Sequence, residues 1–152
     1  MSFTVRIASE SDIQSIYKLI KYYADEGIIL ERSINDITLN IGNFLVAVSD
    51  CDTIGCVTFY DYGNDLKEIR SLAVDKSHNR SGIGKALLEE MIKKINFTCK
   101  SKILTLTYRP DFFNKNGFTV VPKNEFPEKI WKDCANCKDR ENCGETALVY
   151  SL

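Results

Sequence analysis

The sequence signals chemistry most clearly in one run, Val74-Asp-Lys-Ser-His-Asn-Arg-Ser-Gly-Ile-Gly-Lys-Ala-Leu-Leu88. An apolar strand leads into a polar loop, and Gly82 and Gly84 stand where an amphipathic helix begins. A helix N-terminus carries unpaired N–H groups and about half a positive charge. Glycine lets a ligand approach that backbone closely. Arg80 and Lys85 add positive side chains. The combination suits a pyrophosphate, and it also suits a glycine turn that lets a helix pack on a sheet. Spacing excludes two familiar phosphate loops. No Gly-Lys-Ser/Thr follows as a Walker loop requires. The third glycine of a dinucleotide fingerprint is missing, and the preceding strands read as hairpins rather than a βαβ unit.

Two further groups bear chemistry. Cys134, Cys137 and Cys143 crowd the tail as C-x2-C-x5-C. Three thiolates there could hold zinc, with a fourth ligand from Asp133, Glu145 or a scattered cysteine. Reduced thiols packing a tail, or a reversible Cys134–Cys137 disulfide, fit the same spacing. His78 is the only histidine and reads as a solvated loop residue. A Ser-His-Asp or Cys-His triad would have to use it, and no nucleophile motif accompanies it.

The elements that must position these residues alternate between both periodicities. Phe3 to Ala8, Phe44 to Val48, Ile54 to Tyr60, Glu68 to Val74, Ile103 to Thr107, Phe118 to Val121 and Thr146 to Tyr150 read as strands. Asp50-Cys-Asp52 and Gly63-Asn-Asp65 are hairpin turns. Ser9 with Asp12, and Ser33 with Asp36, are helix-cap signals before apolar residues at helical spacing. Ile83, Leu87, Leu88, Met91, Ile92 and Ile95 mark a long amphipathic helix. Asp111 to Asn116 is a short one. The expected class is α+β, a mostly antiparallel mixed sheet flanked by helices.

Composition narrows the function classes. The chain has 152 residues, one domain by the size prior, with 20 Lys+Arg against 21 Asp+Glu. That balance argues against a bulk nucleic-acid binder and against a polybasic membrane anchor. The N-terminus lacks a signal-peptide pattern, and no apolar run approaches the ~20 residues of a membrane span. The expectation is a cytoplasmic protein with reduced thiols.

The loop also carries a resemblance. Asn79-Arg-Ser-Gly-Ile-Gly84, with its flanking strand and helix, resembles the acetyl-CoA signature Q/R-x-x-G-x-G/A of the GNAT acetyltransferases. The element order is similar to that fold as well. The resemblance implies acetyl-CoA as co-substrate, with Leu72, Ala73 and Val74 offering backbone groups to pantetheine. It further implies a pyrophosphate cradle of Asn79, Arg80, Ser81 and Gly82, continued by Ile83, Gly84 and Lys85. Asn79 departs from the usual Gln or Arg. Phe112-Phe-Asn-Lys-Asn-Gly-Phe118 resembles the later motif Y-x-K-x-G-F. Phe113 stands where many members carry a tyrosine general acid, so it counts with the cofactor-binding set.

A narrower resemblance rests on Gly27-Ile-Ile-Leu-Glu-Arg-Ser33, Glu68-Ile-Arg-Ser-Leu-Ala-Val74, Leu106-Thr-Tyr-Arg-Pro-Asp-Phe-Phe113 and Phe126-Pro-Glu-Lys-Ile-Trp-Lys-Asp-Cys134. These blocks look like the short amino-acid N-acetyltransferases of the N-acetylglutamate synthase type. That implies a single acetyltransferase domain over residues 1–152, with a Cys-containing tail at 125–145 packed on the core. It implies acetyl transfer to the α-amine of an amino acid, L-glutamate first, as in the opening step of arginine biosynthesis. Other small amines or a protein N-terminus are alternative acceptors, and a non-catalytic acetyl-CoA-binding or zinc-binding module is the alternative from another class. The implied partners are a small-molecule amino-acid substrate and, in a homodimer, a second copy of the chain, with no nucleic acid and no membrane.

A carboxylate-bearing acceptor calls for arginine, whose planar fork binds carboxylate through paired donors. Arg32 and Ser33 precede a predicted helix, and Arg70 lies on the strand leading to the loop. Alternation predicts Glu68, Arg70 and Leu72 on one face. Glu68 is the expected proton acceptor, directly or through water, and its bland reading is a surface pair with Arg70. Tyr108, ending its strand, is the expected substitute general acid. Arg109 and Lys129 are the reserve acceptor contacts.

Overall fold

Two hairpins build the first half of the sheet. In this computed structural model, which describes residues 2–63, 65–78, 82–97, 102–122 and 145–150, β1 (Thr4–Ile7), β2 (Leu45–Ser49), β3 (Asp52–Gly63) and β4 (Leu66–Val74) pair antiparallel in that order. Asp50 and Cys51 turn the β2–β3 hairpin with φ of 48° and 72°, the twist that two-residue hairpins favour. β5 (Lys102–Thr107) adds to β4 in parallel. β7 (Thr146–Tyr150) and β6 (Phe118–Val121) complete the order β1-β2-β3-β4-β5-β7-β6. The expected α+β class and mixed sheet are met.

Helices cover both faces. On one, α1 (Ile13–Asp25) and α2 (Ile34–Leu39) bury Ile16, Ile20 and Ile37 against Phe44, Val46, Cys56 and Ala73. On the other, α3 (Ile83–Asn96) and α4 (Pro110–Asn114) bury Ile83, Leu87, Met91 and Phe113 against Leu45, Val57 and Ile69. Both predicted caps form: Ser33 Oγ accepts from Asp36 N at 3.0 Å, and Ser9 N donates to Asp12 Oδ2 at 2.8 Å.

Asp12 also locks α1 to the sheet edge. Its buried carboxylate takes two bonds from Arg6, at 2.8 and 3.0 Å. The Arg6 guanidinium holds the Asp12 carboxyl below the usual carboxylate range, against the opposing effect of burial. A depressed folded pKa adds stability above the unfolded value, about 3.9, and that stability fades as pH falls through the folded pKa. Asp12→Ala should therefore cost about 2 kcal/mol at neutral pH through lost capping and charge-assisted bonds, or roughly 4–8 °C in Tm. The gap between the two melting temperatures should begin to narrow as pH falls below about 4 and close only below the folded pKa, where the parent's carboxylate takes up its proton. An equal gap at pH 3 and pH 7 refutes the assignment.

One irregularity re-aims β4. Its register with β3 jumps from Thr58↔Arg70 to Cys56↔Ala73, so Ser71 and Leu72 stand opposite Val57 alone. Ser71 adopts φ 55° in this bulge. A bulge shifts the alternation by one residue. The expectation that Leu72 shares a face with Glu68 and Arg70 is therefore corrected: Leu72 packs with Ile69 on the α3 side, and Ala73 joins Cys56 on the α1 side.

Candidate functional site

A cleft opens where two parallel strands part. β4 and β5 pair only through Leu66↔Lys102, Lys67↔Ile103 and Glu68↔Leu104. At the next step Thr105 Oγ1 donates to the Ile69 carbonyl at 3.2 Å, a side-chain bond where the strands diverge. Beyond it the strands enclose a cleft of about 560 Å³, walled by residues 69–74 of β4 and 105–107 of β5. That volume lies within the range of small-molecule sites.

One end of the cleft is the loop that leads into α3. Gly82 takes φ 80° at the α3 N-cap, a left-handed conformation that glycine adopts without a Cβ penalty. A Cβ built there meets no protein atom within 4 Å, whereas one on Gly84 would lie 3.4 Å from the Phe112 ring. Gly82 thus leaves open space in front of a helix N-terminus, a cradle a side chain would fill. Ile83, Gly84 and Lys85 line the same end, with Phe112 and Phe113 closing the wall. The phenyl rings of Phe113 and Phe118 meet edge-on at 5.3 Å, which packs Phe113 as wall, and a phenyl ring without a hydroxyl has no proton to give. His78 also lines the cleft, with Nδ1 3.2 Å from both Asp75 Oδ2 and Ser77 Oγ. Asn79, Arg80 and Ser81, expected in the cradle, lie outside the described residues. So do Cys134, Cys137, Cys143 and Lys129. Among the described residues no cluster of His, Cys, Asp and Glu could hold a metal ion.

The bulge supplies the middle of the cleft. Leu72, Ala73 and Val74 line the cleft beyond the last pair of the β4–β5 ladder. The Tyr23 hydroxyl donates to the Val74 carbonyl from α1. Cys56 lies beneath the bulge with Sγ 3.5 Å from the Ser71 carbonyl, and burial pushes its thiol up to about 12. It is an inert packing group, not a nucleophile.

The splayed strands, the bulge and the glycine-opened helix together line one continuous cleft. The model of the acetyltransferase (GNAT) domain matches residues 40–120, more than half of the chain and the whole of this site except Tyr23 and the 28–29 segment. The chain belongs to the GNAT acetyltransferases. It is similar to an uncharacterized N-acetyltransferase of Chlorobaculum tepidum, 38% identical over 97% of this chain and 96% of that one. It is 27% identical to an amino-acid acetyltransferase of Mycobacterium tuberculosis over 89% of this chain and 79% of that one. Among solved structures, the N-acetylglutamate synthase of Neisseria gonorrhoeae, complexed with coenzyme A and N-acetyl-glutamate, superposes with TM-score 0.88 at 27% identity. The match covers 99% of this chain and 35% of that chain.

Acetyl-CoA is the co-substrate of a GNAT domain, and the cleft fits it at the open space beside Gly82 and along the unpaired edge of β4. The other expected residues divide between the wall of the cleft and positions outside it. Arg70 lines the cleft, as does Arg109, which stands at the N-cap of α4. Glu68 is only 2% exposed and lies behind Arg70, outside the wall. Its Oε1 accepts from Tyr62 Oη and Arg70 Nε, both at 2.7 Å. Arg32 lies outside the wall, with Nη1 3.2 Å from Asp36 Oδ2 and its guanidinium 5.8 Å from the centre of the Phe44 ring. The Ser33 hydroxyl is engaged as the α2 cap. Tyr108 is 44% exposed just past the end of β5 and also lies outside the wall. Sequence reasoning missed Tyr23, Tyr62, Ile28 and Ile29. Tyr62 was within reach: counting back from the Gly63-Asn-Asp65 turn pairs Tyr60 with Glu68 and sets Tyr62 on the Arg70 face.

Proposed function

We propose that this GNAT domain moves the acetyl group of acetyl-CoA to the α-amine of an amino acid, with L-glutamate the first candidate, as in the opening step of arginine biosynthesis. One observation carries the reading. Arg70 and Arg109 both line the cleft, and no aspartate or glutamate does among the described residues. A cleft of that charge suits an acceptor with carboxylates and disfavours a cationic amine. The likeness to amino-acid acetyltransferases, and to a synthase solved with N-acetyl-glutamate, supports the same choice.

Acetyl-CoA supplies the acetyl group as a thioester. The chain's own groups do the rest. The loop at Gly82 and the edge of β4 hold the thioester beside the acceptor, which turns an encounter of two solutes into a reaction within one complex. Amide N–H groups of the Leu72–Val74 segment that the β3 ladder does not use, Ala73 being paired with Cys56, are the donors for the carbonyl oxygen as it gains charge. Arginine contacts orient the acceptor so that its neutral amine attacks that carbonyl; the C–N bond forms, the C–S bond breaks, and CoA leaves as the thiolate and is released as the thiol with the proton that the amine gives up.

The test is CoA release measured across a panel of the common amino acids. Glutamate, or another acidic amino acid, should give the highest kcat/KM, with lysine and arginine lowest. Preference for a cationic amine or a peptide N-terminus overturns the acceptor reading. Acetyl-CoA binding without release on any acceptor overturns the catalytic one.

A further inference from the structure

Arg70 is a long side chain at the edge of an open cleft, where such a group ordinarily samples many rotamers. Contacts with Glu68, Tyr62 and Tyr60 fix it instead. Its Nε donates to Glu68 Oε1 at 2.7 Å, and its Nη2 donates to the Tyr62 hydroxyl at 2.8 Å. Its guanidinium lies 4.7 Å from the centre of the Tyr60 ring. The Tyr62 hydroxyl donates in turn to the same Glu68 oxygen at 2.7 Å. Glutamate, tyrosine and arginine thus close a triangle in which each member touches the other two. Only Arg70 of the three walls the cleft.

The backbone makes the triangle possible. Tyr60 pairs with Glu68 and Thr58 with Arg70 across the β3–β4 ladder, so the alternating side chains of both strands rise on one face. The ring centres of Tyr60 and Tyr62 stand 4.7 Å apart, which sets the phenol beside the carboxylate. Just past Arg70, the bulge at Ser71 turns the following main chain toward the cleft. The triangle therefore sits directly before the backbone that faces the thioester.

We infer that Glu68 and Tyr62 are positioning residues that act through Arg70, holding its guanidinium as a fixed fork for the acceptor's carboxylate. The inference rests on the amino-acid reading of the cleft for its ligand, not for its geometry. A pre-set fork needs no ordering when the acceptor arrives, so its loss falls on acceptor binding rather than on the chemical step. A carboxylate acting as proton acceptor gives the opposite signature, a fall in kcat.

The experiment compares Tyr62→Phe, Glu68→Ala and Glu68→Gln by steady-state kinetics on the best acceptor of the amino-acid panel. Tyr62→Phe keeps the ring and removes one hydroxyl, so the fold should survive. Tyr62→Phe and Glu68→Ala should raise acceptor KM about tenfold, change kcat less than threefold and leave acetyl-CoA KM unaltered. Glu68→Gln retains an acceptor oxygen for Arg70 and should recover most of the loss. Added to Arg70→Ala, Tyr62→Phe should cost nothing more. A hundredfold fall in kcat for Glu68→Gln overturns the inference, as does wild-type acceptor KM in Tyr62→Phe. A second readout needs no acceptor. The Nε–H resonance of Arg70, assigned by its absence in Arg70→Ala, should exchange slowly with water in the parent and rapidly in Glu68→Ala, which removes the acceptor of that N–H. If no amino acid is acetylated, the functional reading fails, while this spectrum alone still decides whether the triangle holds Arg70. Equal exchange in parent and Glu68→Ala refutes the triangle.

Discussion

Gly82→Val should raise the acetyl-CoA dissociation constant at least tenfold, a loss of about 1.4 kcal/mol. Two separate effects lead there. Gly82 holds φ 80°, where a β-branched side chain is strained by about 1–3 kcal/mol. Its missing Cβ also faces empty space rather than protein, so a side chain would stand where a ligand must approach the α3 N-terminus. Asparagine separates the two, because it tolerates the left-handed region. Gly82→Asn should recover most of the melting temperature lost by Gly82→Val and little of the affinity. Gly84 is a poorer probe, since a Cβ there would press on Phe112 at 3.4 Å and move the wall. Titration of acetyl-CoA by calorimetry, beside a melting curve for each variant, gives both numbers. Parent affinity in a folded Gly82→Val protein overturns the cradle.

Local patterns were enough for much of the fold. Alternation found all seven strands of the described residues, and serine with an aspartate three residues on found the caps at Ser9 and Ser33. The Gly-Ile-Gly run located the start of α3 to within a residue. These features live in stretches of a few residues, where the side-chain period states the geometry directly. What escaped depends on contacts between distant segments. The run Glu68-Ile-Arg-Ser-Leu-Ala-Val74 has no glycine or asparagine to announce a bulge, yet Ser71 takes φ 55° because β3 supplies one residue, Val57, opposite two. That single insertion reverses the face of Leu72. The parting of β4 from β5 is equally silent, since Thr105 reads as one more strand residue until its hydroxyl is seen on the Ile69 carbonyl. Without the parting there is no cleft, so no local pattern could sort Arg70 and Arg109 into its wall or leave Arg32 and Tyr108 out of it. Glu68 shows the same limit. Its type suggested a proton acceptor, but its burial and its bonds to Tyr62 and Arg70 follow from hairpin register.

Arg70→Ala and Arg109→Ala should each lower acceptor kcat/KM roughly ten- to a hundredfold while acetyl-CoA affinity stays within twofold. The magnitude follows from a charge-assisted contact to a carboxylate, about 1.5–3 kcal/mol. The separation follows from the proposed division of the cleft, in which both arginines meet the acceptor and the loop at Gly82 meets acetyl-CoA. The two should differ under conservative change. Arg70 is already oriented by Glu68 and Tyr62 through Nε and Nη2, so Arg70→Lys loses that geometry and should recover little. No described hydrogen bond holds the Arg109 side chain, which rises from the exposed N-cap of α4, so Arg109→Lys should recover more. Arg32 is the comparison that defines the pocket's edge. Its guanidinium braces Asp36 and the Phe44 ring, so Arg32→Ala should lower Tm first. A fall in acceptor kcat/KM at unchanged Tm would instead add Arg32 to the acceptor contacts. Saturation curves for glutamate, and for alanine as an acceptor with one carboxylate fewer, sort the arginines by the group each binds. If one arginine grips the side-chain carboxylate, its alanine variant should lose discrimination between glutamate and alanine by the same ten- to hundredfold, because only glutamate forfeits a contact. The arginine that grips the α-carboxylate should weaken both acceptors alike. Wild-type glutamate kinetics in both Arg70→Ala and Arg109→Ala overturn the pocket.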